Sequence, residues 1–260
     1  MDNRGVSEVL GFVLVFSMIT ATVALVYVSG IPALQERRDA ERVDNAERAF
    51  DVLADNVNDI YQGNAPSRAT EISLDDARLA FGAPTTMRVT VTSLSPTPVY
   101  ETSFRPIVYS AGTRTEIAYE GGAVIRADPG NPENAIVKRD PPMVFADDSG
   151  NGTALIPFLG TRPAGDGSAV GGSTTVLVRT VGATPTVENV SLTDGPYTLN
   201  YTIETTPERA NAWRDFFDGE VPAPLKKDCP VAGTPDGVVA CEIEVDRLIV
   251  TATGIDVTFN

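Results

Sequence analysis

The chain has 260 residues, of which 42% are apolar, 20 are Lys or Arg and 35 are Asp or Glu, for a formal net charge of −15. That balance argues against a nucleic-acid partner, because phosphate backbones are bound by Lys and Arg. Histidine is absent, which removes the commonest general base, the commonest zinc ligand and the Ser/His and Cys/His nucleophile pairs.

The first informative residues are Arg4-Gly5, directly ahead of Val6-Ser7-Glu8-Val9-Leu10-Gly11. Behind them Val9–Val28 reads VLGFVLVFSMITATVALVYV, with no charge and only Ser17, Thr20 and Thr22 as polar interruptions. A helix rises about 1.5 Å per residue, so this run covers roughly the 30 Å of a bilayer's hydrocarbon core. The hydroxyls are expected to bond back to their own helix. A secretory signal has a shorter apolar core followed by a small-x-small cleavage site; here the length favours retention. The pattern resembles the class III signal of archaeal type IV pilin-like proteins. In that family a basic residue and a Gly or Ala precede the cut, and a V-S-x-V-x-G start follows it. By that resemblance Arg4 and Gly5 precede the cut, and Val6, Ser7, Val9 and Gly11 open the mature chain. A prepilin peptidase would cut between Gly5 and Val6. Residues 1–5 are then a leader and 6–31 an apolar membrane and assembly helix. Glu8, where many haloarchaeal relatives carry Pro, reads as a charge at the membrane edge.

Gly30-Ile31-Pro32 is expected to interrupt the helix with a kink or short break, since proline removes a donor and crowds the preceding turn. An amphipathic stalk helix over 32–62 follows. Its apolar positions Val43, Ala46, Phe50, Leu53, Val57 and Ile60 recur at steps of 3 and 4, making one narrow stripe. The stripe is expected to pack on the chain's own β domain, as in a pilin; the alternative is a coiled coil with another chain. Gly63-Asn64-Ala65-Pro66 ends the helix.

From 67 to 260 the chain turns into short Thr/Val/Ile/Tyr-rich runs punctuated by Gly, Pro, Asp and Asn, the pattern of strands and turns. Expected strands include Met87–Thr92, Ile107–Ser110, Thr115–Tyr119, Ala123–Arg126, Ala154–Leu159, Thr174–Thr180, Thr198–Glu204 and Glu242–Val245, with Leu248–Thr253 and Ile255–Phe259 as a terminal hairpin or bent strand. Asp128–Pro142 and Gly160–Ser173 read as exposed loops. Thr206-Pro207-Glu208 marks a helix start, running to about Asp218 with Trp213 as a core anchor. The fold class is therefore α+β: a long N-terminal helix joined to a mainly antiparallel, sandwich-like β domain with one short helix.

Cys229 and Cys241 lie twelve positions apart and are expected to form a local disulfide in an exported domain, with two free thiols as the alternative. Asn151, Asn189 and Asn200 begin N-x-S/T triplets, candidate N-glycosylation sites outside the cell. Asp147-Asp148-Ser149-Gly150-Asn151 lacks the spacing of a calcium loop and reads as solvated. With three lysines against seventeen arginines, the acid-rich composition resembles that of proteins from salt-loving archaea; a merely acidic protein is the alternative. No phosphate-cradling loop, nucleophile elbow or metal-ligand cluster stands out. The expectation is therefore no enzyme and no cofactor, a paired-carboxylate hydrolase being the remaining catalytic alternative. The partners implied are a membrane, a prepilin peptidase and other pilins or copies of this chain through the N-terminal helix. The C-terminal domain is placed outside the cell or in a surface filament used for adhesion; a monomeric envelope protein whose β domain binds a partner or glycan is the second reading.

Overall fold

The computed structural model describes residues 4–112, 115–165, 167–184 and 189–260, without the side chains of 4–8, 29–33, 35 and 36. Helix α1 spans Arg4–Tyr61. The expected interruption at Gly30–Pro32 is absent, because the backbone stays helical through these positions. Proline costs one hydrogen bond of the ladder, and the turns on either side supply enough others to carry the helix past it. The boundary between an apolar helix and a stalk helix is therefore not a break in secondary structure.

The chain divides instead into two compact units, residues 1–44 and 45–260. The first is helical. The second begins with the last turns of α1 and continues through β1 (Ser67–Ser73), β2 (Ala77–Phe81), β3 (Thr85–Val91), β4 (Val99–Phe104), β5 (Ile107–Ala111), β6 (Thr115–Glu120), β7 (Ala123–Ala127), β8 (Ile136–Arg139) and β9 (Val144–Asp148). After these come β10 (Asn151–Pro163), β11 (Ala169–Gly172), β12 (Thr175–Ala183), β13 (Val190–Leu192), β14 (Tyr197–Glu204), helix α2 (Pro207–Glu220), β15 (Lys226–Asp228), β16 (Val238–Val245) and β17 (Arg247–Phe259). Among the described residues the strands form three sheets, ordered β1-β12-β17-β10-β9 with β13 beside β17, β11-β2-β5-β6-β7-β8, and β15-β16-β14-β3-β4. The fold is α+β and mainly antiparallel, as the alternating runs predict.

Several elements depart from the expectations. The C-terminal run is one continuous strand, the single-strand alternative and not the hairpin, and it pairs in parallel with β10 from Thr153↔Arg247 to Pro163↔Val257. The supposed loop over 160–173 contains the end of β10 and all of β11, and Thr161 within it is buried. The stretch 128–142 contains a 3-10 turn at Pro132–Asn134 and β8. The Asp147–Asn151 cluster, by contrast, is exposed at the tip of the β9–β10 hairpin, as its reading as a solvated loop expects.

A core of sheet and helix side chains holds the second unit together. Met87, Val89 and Val91 of β3, Leu199, Tyr201 and Ile203 of β14 and Val239, Cys241, Ile243 and Val245 of β16 face α2, which contributes Ala210, Trp213, Phe216 and Phe217. Phe217 lies edge-on to Tyr201 with centroids 5.2 Å apart. Helix α2 begins where expected, but Thr206 does not cap it with its hydroxyl. The Thr206 carbonyl accepts from the N–H groups of Arg209 and Ala210 at 3.0 and 3.1 Å instead.

Within the second unit, residues 45–61 of α1 bury Ala46, Phe50, Leu53, Ala54, Val57 and Ile60. This is the intramolecular packing that the stripe predicts. The acidic residues beside the stripe also face the body. Glu47 meets Arg126 of β7 at 3.1 Å and Lys138 of β8 at 2.9 Å. Arg139 donates to the Asp51 carbonyl at 3.0 Å and to the Asp55 carboxylate, and Arg68 of β1 donates to Asp59 at 2.9 Å. Steps of four keep Glu47, Asp51, Asp55 and Asp59 on one side of the helix, so basic residues of three strands line up along it.

Candidate functional site

The feature that most sets this chain apart is the face it leaves uncovered. Val9–Val28 is long and apolar enough to cross a membrane, and none of it is buried within the molecule. Phe12, Leu14, Phe16, Met18, Leu25 and Tyr27 are each about 60–71% exposed. A soluble chain rarely presents so long an apolar surface without a lipid or protein cover. Polar interruptions do not spoil it: the Thr20 hydroxyl donates to the Phe16 carbonyl and that of Thr22 to the Met18 carbonyl, both at 2.8 Å. Each hydroxyl thus carries its partner with it into an apolar medium. The rings of Phe12 and Phe16, one turn apart, stack at 6.1 Å.

At the head of this helix, the backbone of Arg4, Gly5, Val6 and Ser7 is helical. Their side chains, and that of Glu8, lie outside the described residues. Gly11 has open space where a Cβ would stand.

The remaining residues singled out in the sequence are scattered over the second unit. Cys229 and Cys241 are joined by a disulfide that ties the segment after β15 to β16. Asn151 is exposed at the start of β10. Asn189 is exposed beside β13, and its Oδ1 accepts from the Ala252 N–H at 2.9 Å. Asn200 is half-buried in β14, between β16 and β3, and its Oδ1 accepts from the Thr202 hydroxyl at 3.1 Å. These sites do not converge.

What converges is a set of residues of which the sequence singled out Trp213 alone, as a core anchor. Glu120, fully buried at the end of β6, accepts from Arg209 Nε at 2.7 Å, Trp213 Nε1 at 2.7 Å, Thr205 at 2.8 Å and Thr85 at 3.0 Å. Arg209 Nη1 also donates to Glu116. Gly121 and Gly122 follow Glu120 with φ of 58° and 99°, and a Cβ on Gly121 would stand 2.0 Å from Met87. Only glycine takes that tight turn here, and the turn aims Glu120 inward. Burial lowers the Arg209 pKa, but Glu120 and Glu116 outweigh it, so the guanidinium stays charged. The cluster pins β3, β6, the segment that follows β14 and α2 together. Its sequence signal is Arg209 four residues ahead of Trp213, a cation on the apolar side of α2.

An open groove of about 660 Å³ lies along β2, β5 and β11, with Asp76 and Arg78 in its lining. Among the described residues no group of His, Cys, Asp and Glu is arranged to hold a metal ion.

A family model matches residues 4–258. The chain belongs to DUF7289, a family of unknown function. The DUF7289 match takes in both the apolar helix and the β body. No curated protein and no solved structure matches the chain.

Proposed function

We propose that this DUF7289 chain is an archaeal type IV pilin-like surface protein. Val9–Val28 holds it in the membrane, the β body stands outside, and after cleavage between Gly5 and Val6 the helix is available to assemble with its like into filaments for adhesion. The observation that carries this reading is a wholly uncovered apolar helix in a chain whose β body buries a core of its own. One unit lacks a cover and the other does not need one. The Cys229–Cys241 bridge fits a compartment where disulfides persist. The exposed Asn151 and Asn189 suit glycan attachment there better than Asn200 does. The acidic, Lys-poor composition fits a salt-loving source.

The test is the amino terminus and mass of the protein taken from its native membrane. A start at Val6 supports the reading. A start at Gly30 or beyond would mean that the apolar helix is a removed signal, and the reading fails. The open groove beside Asp76 and Arg78 favours a second reading, an anchored monomer whose body binds a partner or glycan. Sheared surface material separates the two: filaments containing this chain support the first, and purely membrane-resident monomer supports the second.

A further inference from the structure

Under the docked end of α1 lies a small, partly open space of about 40 Å³, bounded by Asn58, Tyr119, Gly122, Arg139, Asp140 and Leu159 among others. Two of these lining residues carry a polar atom that is buried with no protein partner: Tyr119 Oη and Asn58 Oδ1. Tyr119 is only 1% exposed. Leaving a buried hydroxyl and a buried amide oxygen unbonded costs much of their desolvation. We propose that this space is a binding site for one water molecule, which accepts from the Tyr119 hydroxyl and donates to Asn58 Oδ1, so joining α1 to β6.

The chemistry of the lining selects the occupant. A hydroxyl donor and an amide acceptor together need a ligand that both accepts and donates. Chloride has no proton for Asn58 Oδ1. The one cation at the site, Arg139, is already engaged by Asp55 and the Asp51 carbonyl, and Asp140 adds negative charge. A metal cation would face the Arg139 guanidinium and find no carboxylate pair. The volume exceeds what one water needs and leaves no room for a hydrated ion. Burial raises the Tyr119 pKa, with Arg139 acting weakly against it, so the phenol keeps its proton and remains a donor.

The full-length protein in detergent micelles tests this. A crystal structure at about 2 Å or better is expected to show one water about 2.7–3.0 Å from both atoms. Xenon under pressure is expected to leave the space untouched, because a polar, hydrated cavity does not take it. Tyr119→Phe and Asn58→Leu are each expected to lower Tm by about 2–4 °C, and the double variant by no more than the larger single change, since either loss breaks the same bridge. The proposal is overturned by additive shifts in the double variant. It is equally overturned by xenon in the space, by bromide replacing the occupant, or by a direct bond between Tyr119 and Asn58.

Discussion

The indole N–H of Trp213 donates to the Glu120 carboxylate at 2.7 Å, with both side chains fully buried. The bond reaches from α2 to β6, across residues 93 positions apart. Glu120 also meets Arg209 there, so one carboxylate aligns a helix, two hydroxyls and a guanidinium. Breaking a buried pair by removing one partner costs about 3–5 kcal/mol, since the other charge is left uncompensated. Glu120→Gln is expected to lose about that much in urea unfolding. Trp213 is the only tryptophan, so its fluorescence should change in the folded variant and report the altered neighbour directly. Replacing Glu120 and Arg209 together by apolar residues should cost less than the sum of the single changes.

Tyrosine burial sets an alkaline limit. Tyr119 and Tyr201 both have their pKa raised above the ordinary 10.0, chiefly by burial; the Glu120 charge adds to the effect at Tyr201. The unfolded chain therefore releases these protons near pH 10 while the folded chain still holds them. Stability is at its full value below that pH and falls as pH rises beyond it. Tyr201→Phe should flatten the decline above pH 10, measured as urea midpoint against pH.

The seam along α1 makes a salt-dependent contribution. Glu47 pairs with Arg126 and Lys138, whose side chains are about one-third exposed, so Glu47→Gln is expected to cost on the order of 1 kcal/mol at low salt. Molar KCl should erase most of the difference by screening. Phe50→Ala, at a fully buried position on the adjoining stripe, should cost about 3–5 kcal/mol at either salt concentration. Equal salt dependence in both variants would contradict the division of roles between seam and stripe.

The Cys229–Cys241 bridge closes a short loop, with a sequence separation of 12. Replacing both cysteines with serine, or reducing the bridge, should lower stability by about 3 kcal/mol. The change is expected in denaturant midpoints, with β-sheet circular dichroism retained.

A fragment that starts after the apolar run is expected to be water-soluble and to keep its strand content, because the core of the second unit lies within 45–260. The full chain should require detergent. Sedimentation of the two forms without detergent checks this, and a full chain that stays monomeric in water would remove the ground for an anchor.

Local pattern was enough to find the apolar run, the stripe on α1, α2 and most strands, because these depend on periodicity within about ten residues. Ala46, Phe50, Leu53, Val57 and Ile60 are buried where their spacing puts them. Pairing was not legible in the same way. The parallel partnership of β10 with β17 joins segments about ninety residues apart, and no residue in either declares its neighbour. The Glu120 cluster was hidden for the same reason: a carboxylate in a strand and an arginine in a helix look solvent-facing until the tertiary fold removes the solvent from both.

By itself, the sequence determined that this chain carries a hydrophobic helix as long as a bilayer is thick, a β-rich body without histidine chemistry, and a cysteine pair close enough to join. Those properties follow from composition and short-range spacing. Only the tertiary structure decided that α1 passes Pro32 unbroken, that its acidic side is matched by Arg68, Arg126, Lys138 and Arg139, and that Glu120 is the buried centre of the body. Each depends on which distant segments share space, and hence on the summed energy of contacts that no local window contains.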